Sequence, residues 1–493
     1  MRRRVRRWRG DEFMNVSLAG SPAAALFRAA NRRTLGDVAG ECWAIAVLTP
    51  LLLVVTFWNG FPLIFYDTGA YLLEGLGWHF LVERSPVYSL FLRVADAGLS
   101  LWTVVVLQAI ATAFVMVQCA RVVAPRLGIA TFLALCAALV VATGLPWYVG
   151  EVEPDCFAAV TVIAVYLLAF HANDMGKART GALFALGGCA AAAHTSHLLL
   201  AAGLWLSLAL YRAIRSVAKT LAECPKPALG QPALVIGLAF SLVLASNFLF
   251  TGQIFVSRAG PSFLFARLLQ DRVVTRLLDE TCPGSGYRLC AYREILPPTA
   301  NAWLWASYSP FFKLGGFEGT RDESARIVRD SLLRYPLLNA KLAVADGARQ
   351  FLAFRTGDQV EPQQWALRGT LAHFLPSQMD AYLSARQQQS KIDFRIVNRV
   401  DLPVGYLSLL VLAALIGFAL WSSEWGGALF LATMMLALLG NAFICGALSN
   451  PHDRYQSRLI WLAPFAASLV AAAWNARSKG RPRKLDSRAS PDL

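Results

Sequence analysis

The chain has 493 residues, of which 56% are hydrophobic and only 16% charged, and it carries a formal net charge of +15. Soluble domains carry about 25% charged residues, so this composition excludes an ordinary soluble enzyme, a disordered protein and a small disulfide scaffold. In so apolar a chain, positive charge bears first on how membrane spans are oriented, and it does not read as a nucleic-acid footprint.

The chain opens with MRRRVRRWRG. This is too basic, and too far from the first apolar run, for a cleavable signal. It fits a cytosolic tail against an anionic leaflet. A spanning helix needs roughly 20 apolar residues. Runs of that kind lie near 41–59, 100–119, 127–145, 232–250, 402–421, 426–445 and 459–474, with a weaker one over 156–171. The apolar stretch 180–212 is interrupted by His194-Thr195-Ser196-His197. The basic loops on either side of it, Lys177/Arg179 and Arg212/Arg215/Lys219/Lys226, both read as cytosolic. An even number of crossings must separate them, so the stretch is predicted to form two short helices meeting at His194–His197, in a polar cavity below the outer surface.

The fold class that follows is an all-α polytopic membrane protein. It has about ten transmembrane helices and a large, mainly helical extracytoplasmic segment between helices 7 and 8. Its parts are a basic cytosolic tail (1–40), a membrane core (41–251), the extracytoplasmic segment (252–402), a second stretch of core (403–474) and a basic cytosolic tail (475–493). The expected location is a bacterial inner membrane. In the outer segment, Thr320-Arg321-Asp322-Glu323 has capping-box spacing, Pro336 should end or kink the following helix, and another helix is expected over 338–354. Cys282 and Cys290, in CPGSGYRLC, could close a small disulfide loop in an oxidising compartment.

Polar residues collect on the outer face. The first outer loop holds Asp67, Glu74, His79, Glu83 and Arg84; the second holds Glu151, Glu153 and Asp155. His194 and His197 follow, and SNPHDRYQSR brings His452, Asp453, Arg454, Tyr455 and Arg458. Each has a plain alternative: a turn residue for Asp67, a helix cap for Asp155, backbone satisfaction for the histidines, snorkelling for the arginines. Arg in the last loop also suits bidentate phosphate contacts. Trp78, Trp147 and Tyr148 read as an interfacial belt.

This layout resembles the GT-C superfamily of membrane glycosyltransferases, which includes the protein O-mannosyltransferases and the lipid A aminoarabinose transferases. The resemblance covers roughly 41–251 and 402–474. It rests on Asp67 in FYDTGAYL after the first helix, a first outer loop long enough for juxtamembrane helices, the acidic pair in GEVEPDCFA, and the large insertion after helix seven. ERSPVYSLFL and HDRYQSRLIWLAP add to it. The family's adjacent acidic pair is missing, because Thr68 follows Asp67. The resemblance implies an inverting transferase that takes a sugar from a polyprenyl-phosphate donor in the bilayer to an envelope acceptor. Asp67 would be the general base. Arg454 or Arg458, or else Arg84, would stabilise the departing phosphate, with Tyr455 and His452 beside them. Glu74, Glu153, Asp155, His194 and His197 would line the cavity, where a divalent metal ion could bind, and Trp78, Trp147 and Tyr148 could stack on sugar faces. Rival readings are an O-antigen ligase or polysaccharide polymerase with a base such as His373, a transporter with mid-membrane polar sites, and a non-catalytic assembly subunit.

Overall fold

A computed structural model describes residues 35–96, 100–362 and 365–479. The basic tails expected over 1–40 and 475–493 fall mostly outside those residues. Within them the chain is helical, and the only β pairing is a single parallel bridge between Leu63 and Glu151.

Among the described residues, seven helices are long and apolar enough to cross a membrane: Val38–Asn59, Leu101–Val123, Thr195–Val217, Gly230–Thr251, Phe394–Trp421, Trp425–Leu448 and Asp453–Arg477. This is the make-up of an integral membrane protein. Ile129–Ala142 and Cys156–Phe170 are shorter apolar helices. Cys156–Phe170 is buried along nearly its whole length and forms the centre of the bundle. Lys177–Ala192 packs against it, and the two approach closely at Gly187, beside Ala164.

The apolar stretch 180–212 does break at His194, but its two arms are unequal. The second arm runs from Thr195 to Val217, 23 residues, because the helix continues through Arg212 and Arg215. Likewise Phe394–Trp421 begins well before 402 and carries Pro403 inside it. The charged residues Arg395, Arg399 and Asp401 hid its first two turns from a hydropathy reading.

Side-chain contacts sort the helix ends into two poles. At one pole, buried Glu41 accepts a hydrogen bond from Arg179 Nε at 2.9 Å and lies 3.4 Å from Arg121. Arg477 pairs with Glu424 at the same end, across a cleft lined by Val122, His171 and Trp474. The acidic loops, His194 and Arg454 gather at the other pole.

The 252–402 segment is two bodies by packing. Residues from Phe265 to Tyr335 bury their own core around Trp303 and Phe311, and Cys282 and Cys290 are joined there by a disulfide. Helix Gly316–Arg334 starts earlier than the capping-box spacing suggests. Thr320 lies inside it and donates to the Gly316 carbonyl, so the box is not a helix start. Helix Pro336–Leu352 then lies along Trp425–Leu448, where the Asp346 carbonyl would sit 2.6 Å from any Cβ placed at Gly446. Buried Arg267, between Asp271 (2.9 Å) and Asp346 (3.0 Å), fastens the small body to that helix. From Phe354 onward the segment folds back into the main core through Leu367, Leu371, Leu375 and Tyr382.

Candidate active site

The two acidic loops are stitched together through their backbones. Leu63 N donates to the Gly150 carbonyl and Val152 N to the Leu63 carbonyl, both at 2.9 Å. Thr68 Oγ1 adds a bond to the Val152 carbonyl. Buried Gln108 donates to the carbonyls of Val149 and Glu151, and its own oxygen accepts from Tyr88. From the far end of the chain, Gln387 bonds both the N–H and the carbonyl of Ile64. Buried backbone polar groups need such partners, and meeting that need fixes the positions of Asp67 and Asp155.

Both aspartates sit at helix N-caps, and neither side chain caps its helix. Each turns to arginine instead. Asp67 accepts from Arg84 at 2.6 Å and lies 3.7 Å from Arg454. Asp155 accepts from Arg458 at 2.7 Å and lies 3.4 Å from Arg454. Arg458 is fully buried and also donates to Ser196 Oγ (3.0 Å) and Asn441 Oδ1 (3.2 Å). The Arg454 guanidinium stacks over Phe65, and Tyr455 faces both Arg454 and Arg458. His194 caps helix Thr195–Val217 by accepting from Ser196 N, and its Nδ1 is 2.8 Å from Ser196 Oγ. His197 is buried next to it against the Ala190 carbonyl.

Three guanidiniums therefore face two ion-paired aspartates, with unspent donors. Arg84 Nε, Arg454 Nη1 and Arg458 Nε are buried without a hydrogen-bond partner among the described residues. Glu151 and Glu153 flank the group, each fully buried with an unpartnered oxygen. Burial, and then the Asp155 charge, pushes Glu151 up to about 8. Burial and the Asp67 charge push Glu153 well above the usual carboxylate range. At Asp155 burial pulls the same way, but Arg454 and Arg458 outweigh it and hold the carboxyl at about 2. At neutral pH Glu151 holds its proton, and the three guanidiniums outnumber the two aspartates, a balance suited to binding an anion.

Four residues are placed differently from expectation. Glu74 does not line the cluster: it is fully buried, accepting from Ser89 Oγ at 2.6 Å and from Leu81 N. Burial raises it to about 7. It ties its helix to Pro86–Asp96, a role set by the close approach of the two helices at Gly75. His452 faces Asp358, Asn450 and Asn301 rather than Asp67. Trp147 and Tyr148 are buried, Trp147 against Trp58 and Phe394, and form no interfacial belt. His373 is exposed and meets only Phe374 edge-on among its ring contacts.

A metal ion fits the donor set poorly. Asp155 and Asp67 each face two guanidiniums, and His194 Nδ1 is engaged by Ser196. No grouping of three His, Cys, Asp or Glu suited to a cation occurs among the described residues.

Sequence reading missed Asp358, which accepts from Arg454 N, and Ser196 and Asn441, which hold Arg458. It also missed Glu361, bonded by the Tyr66 hydroxyl. The chain matches no known protein family, curated protein or solved structure.

Proposed function

We propose that this chain is a membrane glycosyltransferase of GT-C type. It would move a sugar from a polyprenyl-phosphate donor to an envelope acceptor on the extracytoplasmic side of a bacterial inner membrane. One observation carries the reading: Asp67, Arg84, Asp155, Arg454 and Arg458, from segments far apart in sequence, meet in one largely buried cluster at one pole of a helical bundle, with guanidinium donors left over. The proposed topology has ten crossings: the seven long helices plus Ile129–Ala142, Cys156–Phe170 and Lys177–Ala192, with both termini cytosolic.

In the proposed reaction the acceptor hydroxyl attacks the anomeric carbon. The new C–O bond forms as the bond to the donor phosphate breaks, with inversion. The hydroxyl proton passes to Asp67 through Oδ2, the oxygen not held by Arg84. The electron pair leaves on polyprenyl phosphate, whose charge Arg454 stabilises with its unpartnered Nη1 while Arg84 stands next to it. Asp155 and Arg458 hold Arg454 in place. The ligase-like alternative gains nothing here, because His373 stands outside the cluster.

The test is release of polyprenyl phosphate from a panel of polyprenyl-phosphate-linked sugars by purified, folded protein. Asp67→Asn should slow release by about a hundredfold or more while donor binding persists. Turnover at the wild-type rate would remove Asp67 from the chemistry.

A further inference from the structure

Apart from the transfer site, the same pole carries a second concavity, bounded by Arg355, Gly357, Phe394, Arg395 and Arg399. Its walls are built. Asn398 and Thr356 exchange two hydrogen bonds: Asn398 Nδ2 donates to the Thr356 carbonyl (2.8 Å), and Thr356 N donates to Asn398 Oδ1 (2.9 Å). Gly357, at φ +91°, lies against the Phe394 ring so tightly that any Cβ would overlap it. Phe394 rests in turn on Trp147, ring centroids 4.7 Å apart. The loop is thus locked to the first turns of helix Phe394–Trp421.

The carboxylates around this pocket are already engaged. Asp393 is paired with Arg395, Asp453 accepts from Arg355 N, and Asp358 accepts from Arg454 N and faces His452. The exposed guanidiniums of Arg355 and Arg399 enter no ion pair among the described residues. Below them the same helix exposes Val400, Leu407 and Leu410. Such a face belongs in hydrocarbon, which puts the arginines at headgroup depth. Two exposed guanidiniums that make no close ion pair, with Asp453 and Asp393 as neighbouring charges, stand above an apolar stripe, the arrangement that fits one end of a lipid.

We propose that this pocket binds the phosphate of an anionic membrane lipid, its acyl chains lying along Val400, Leu407 and Leu410. The inference does not depend on the transferase reading, since it concerns binding alone. Arginines that merely snorkel attract anionic lipid wherever they stand, so Arg355 and Arg399 would then matter no more than Arg477.

The experiment is native mass spectrometry of the full-length protein from mixed micelles of phosphatidylglycerol and phosphatidylcholine. The wild type should retain phosphatidylglycerol preferentially. Arg355→Gln and Arg399→Gln should each weaken that retention about fivefold, and the double variant about 25-fold. Arg477→Gln, at the opposite pole, should change nothing, and soluble glycerol phosphate should not displace the lipid. A wild type without preference, or a folded double variant that binds as the wild type does, overturns the proposal. Displacement by glycerol phosphate at equal concentration overturns the lipid assignment in favour of a soluble phosphate.

Discussion

Asp155→Asn probes the electrostatic frame of the cluster most directly. Asp155 is 1% exposed and, among the described residues, is the one carboxylate within ion-pair distance of both Arg454 and Arg458, at 3.4 and 2.7 Å. Breaking a buried ion pair by removing one partner costs about 3–5 kcal/mol, because the other charge stays buried. Asparagine keeps the volume and an oxygen for Arg458 Nη1, and Arg458 keeps Ser196 and Asn441. The loss should therefore fall at the low end, about 3 kcal/mol. Adding Arg458→Met removes the stranded charge and should recover about 1–2 kcal/mol of it. The measurement is denaturant unfolding of the purified full-length variants in one detergent. The reasoning fails if Asp155→Asn unfolds within about 0.5 kcal/mol of wild type, or if the double variant is less stable than Asp155→Asn alone.

Three further outcomes are expected. Glu151 holds its proton up to about pH 8 in the folded protein and releases it near 4.5 when unfolded. Its contribution is fully present below about pH 4.5 and is lost as pH rises through 8, at up to about 1.4 kcal/mol per pH unit; Glu151→Gln should flatten that slope in thermal unfolding between pH 5 and 8, and an unchanged slope would exclude Glu151 as its source. Replacing Cys282 and Cys290 with Ser should destabilise the 260–335 body by about 2–3 kcal/mol without altering Asp67-dependent turnover, and non-reduced intact mass should show neither wild-type thiol alkylated. In a cysteine-free background, Ser449→Cys should label from the outer side and Ser422→Cys only from the cytosol; the reverse pattern would invert the proposed topology.

The site was legible in sequence to the extent that polarity reports sidedness. Asp67, Arg84, Asp155, Arg454 and Arg458 are charges that an apolar bundle strands at one end, so listing the charges of that end recovered them. Glu74 shares that end, but its partner is a serine on the adjacent helix, and hydropathy cannot distinguish a carboxylate that faces a cavity from one that holds two helices together. Asp358 was out of reach for a different reason. Its place beside Arg454 depends on the second half of 252–402 folding back onto the membrane core, and the apolar residues that do this, Phe354, Leu367 and Leu371, are spread through a mixed-charge stretch. The start of Phe394–Trp421 was hidden by the arginines and Asp401 that its first turns carry.

The bond between Gln387 and Ile64 spans 323 residues of chain. At a synthesis rate of ~5–20 residues per second, the loop that carries Asp67 leaves the ribosome roughly 15–65 s before the glutamine that holds it. The Arg458 side chain emerges later still, 303 residues after Asp155. Until then the four long apolar helices made before Gln387, and the acidic loops already bonded to one another, lack the support of Gln387 and Arg458. Assembly of the charged cluster is therefore a late event, completed only when the last helix enters, and a nascent chain halted before Gln387 should hold its helices but leave Asp67 open to the solvent.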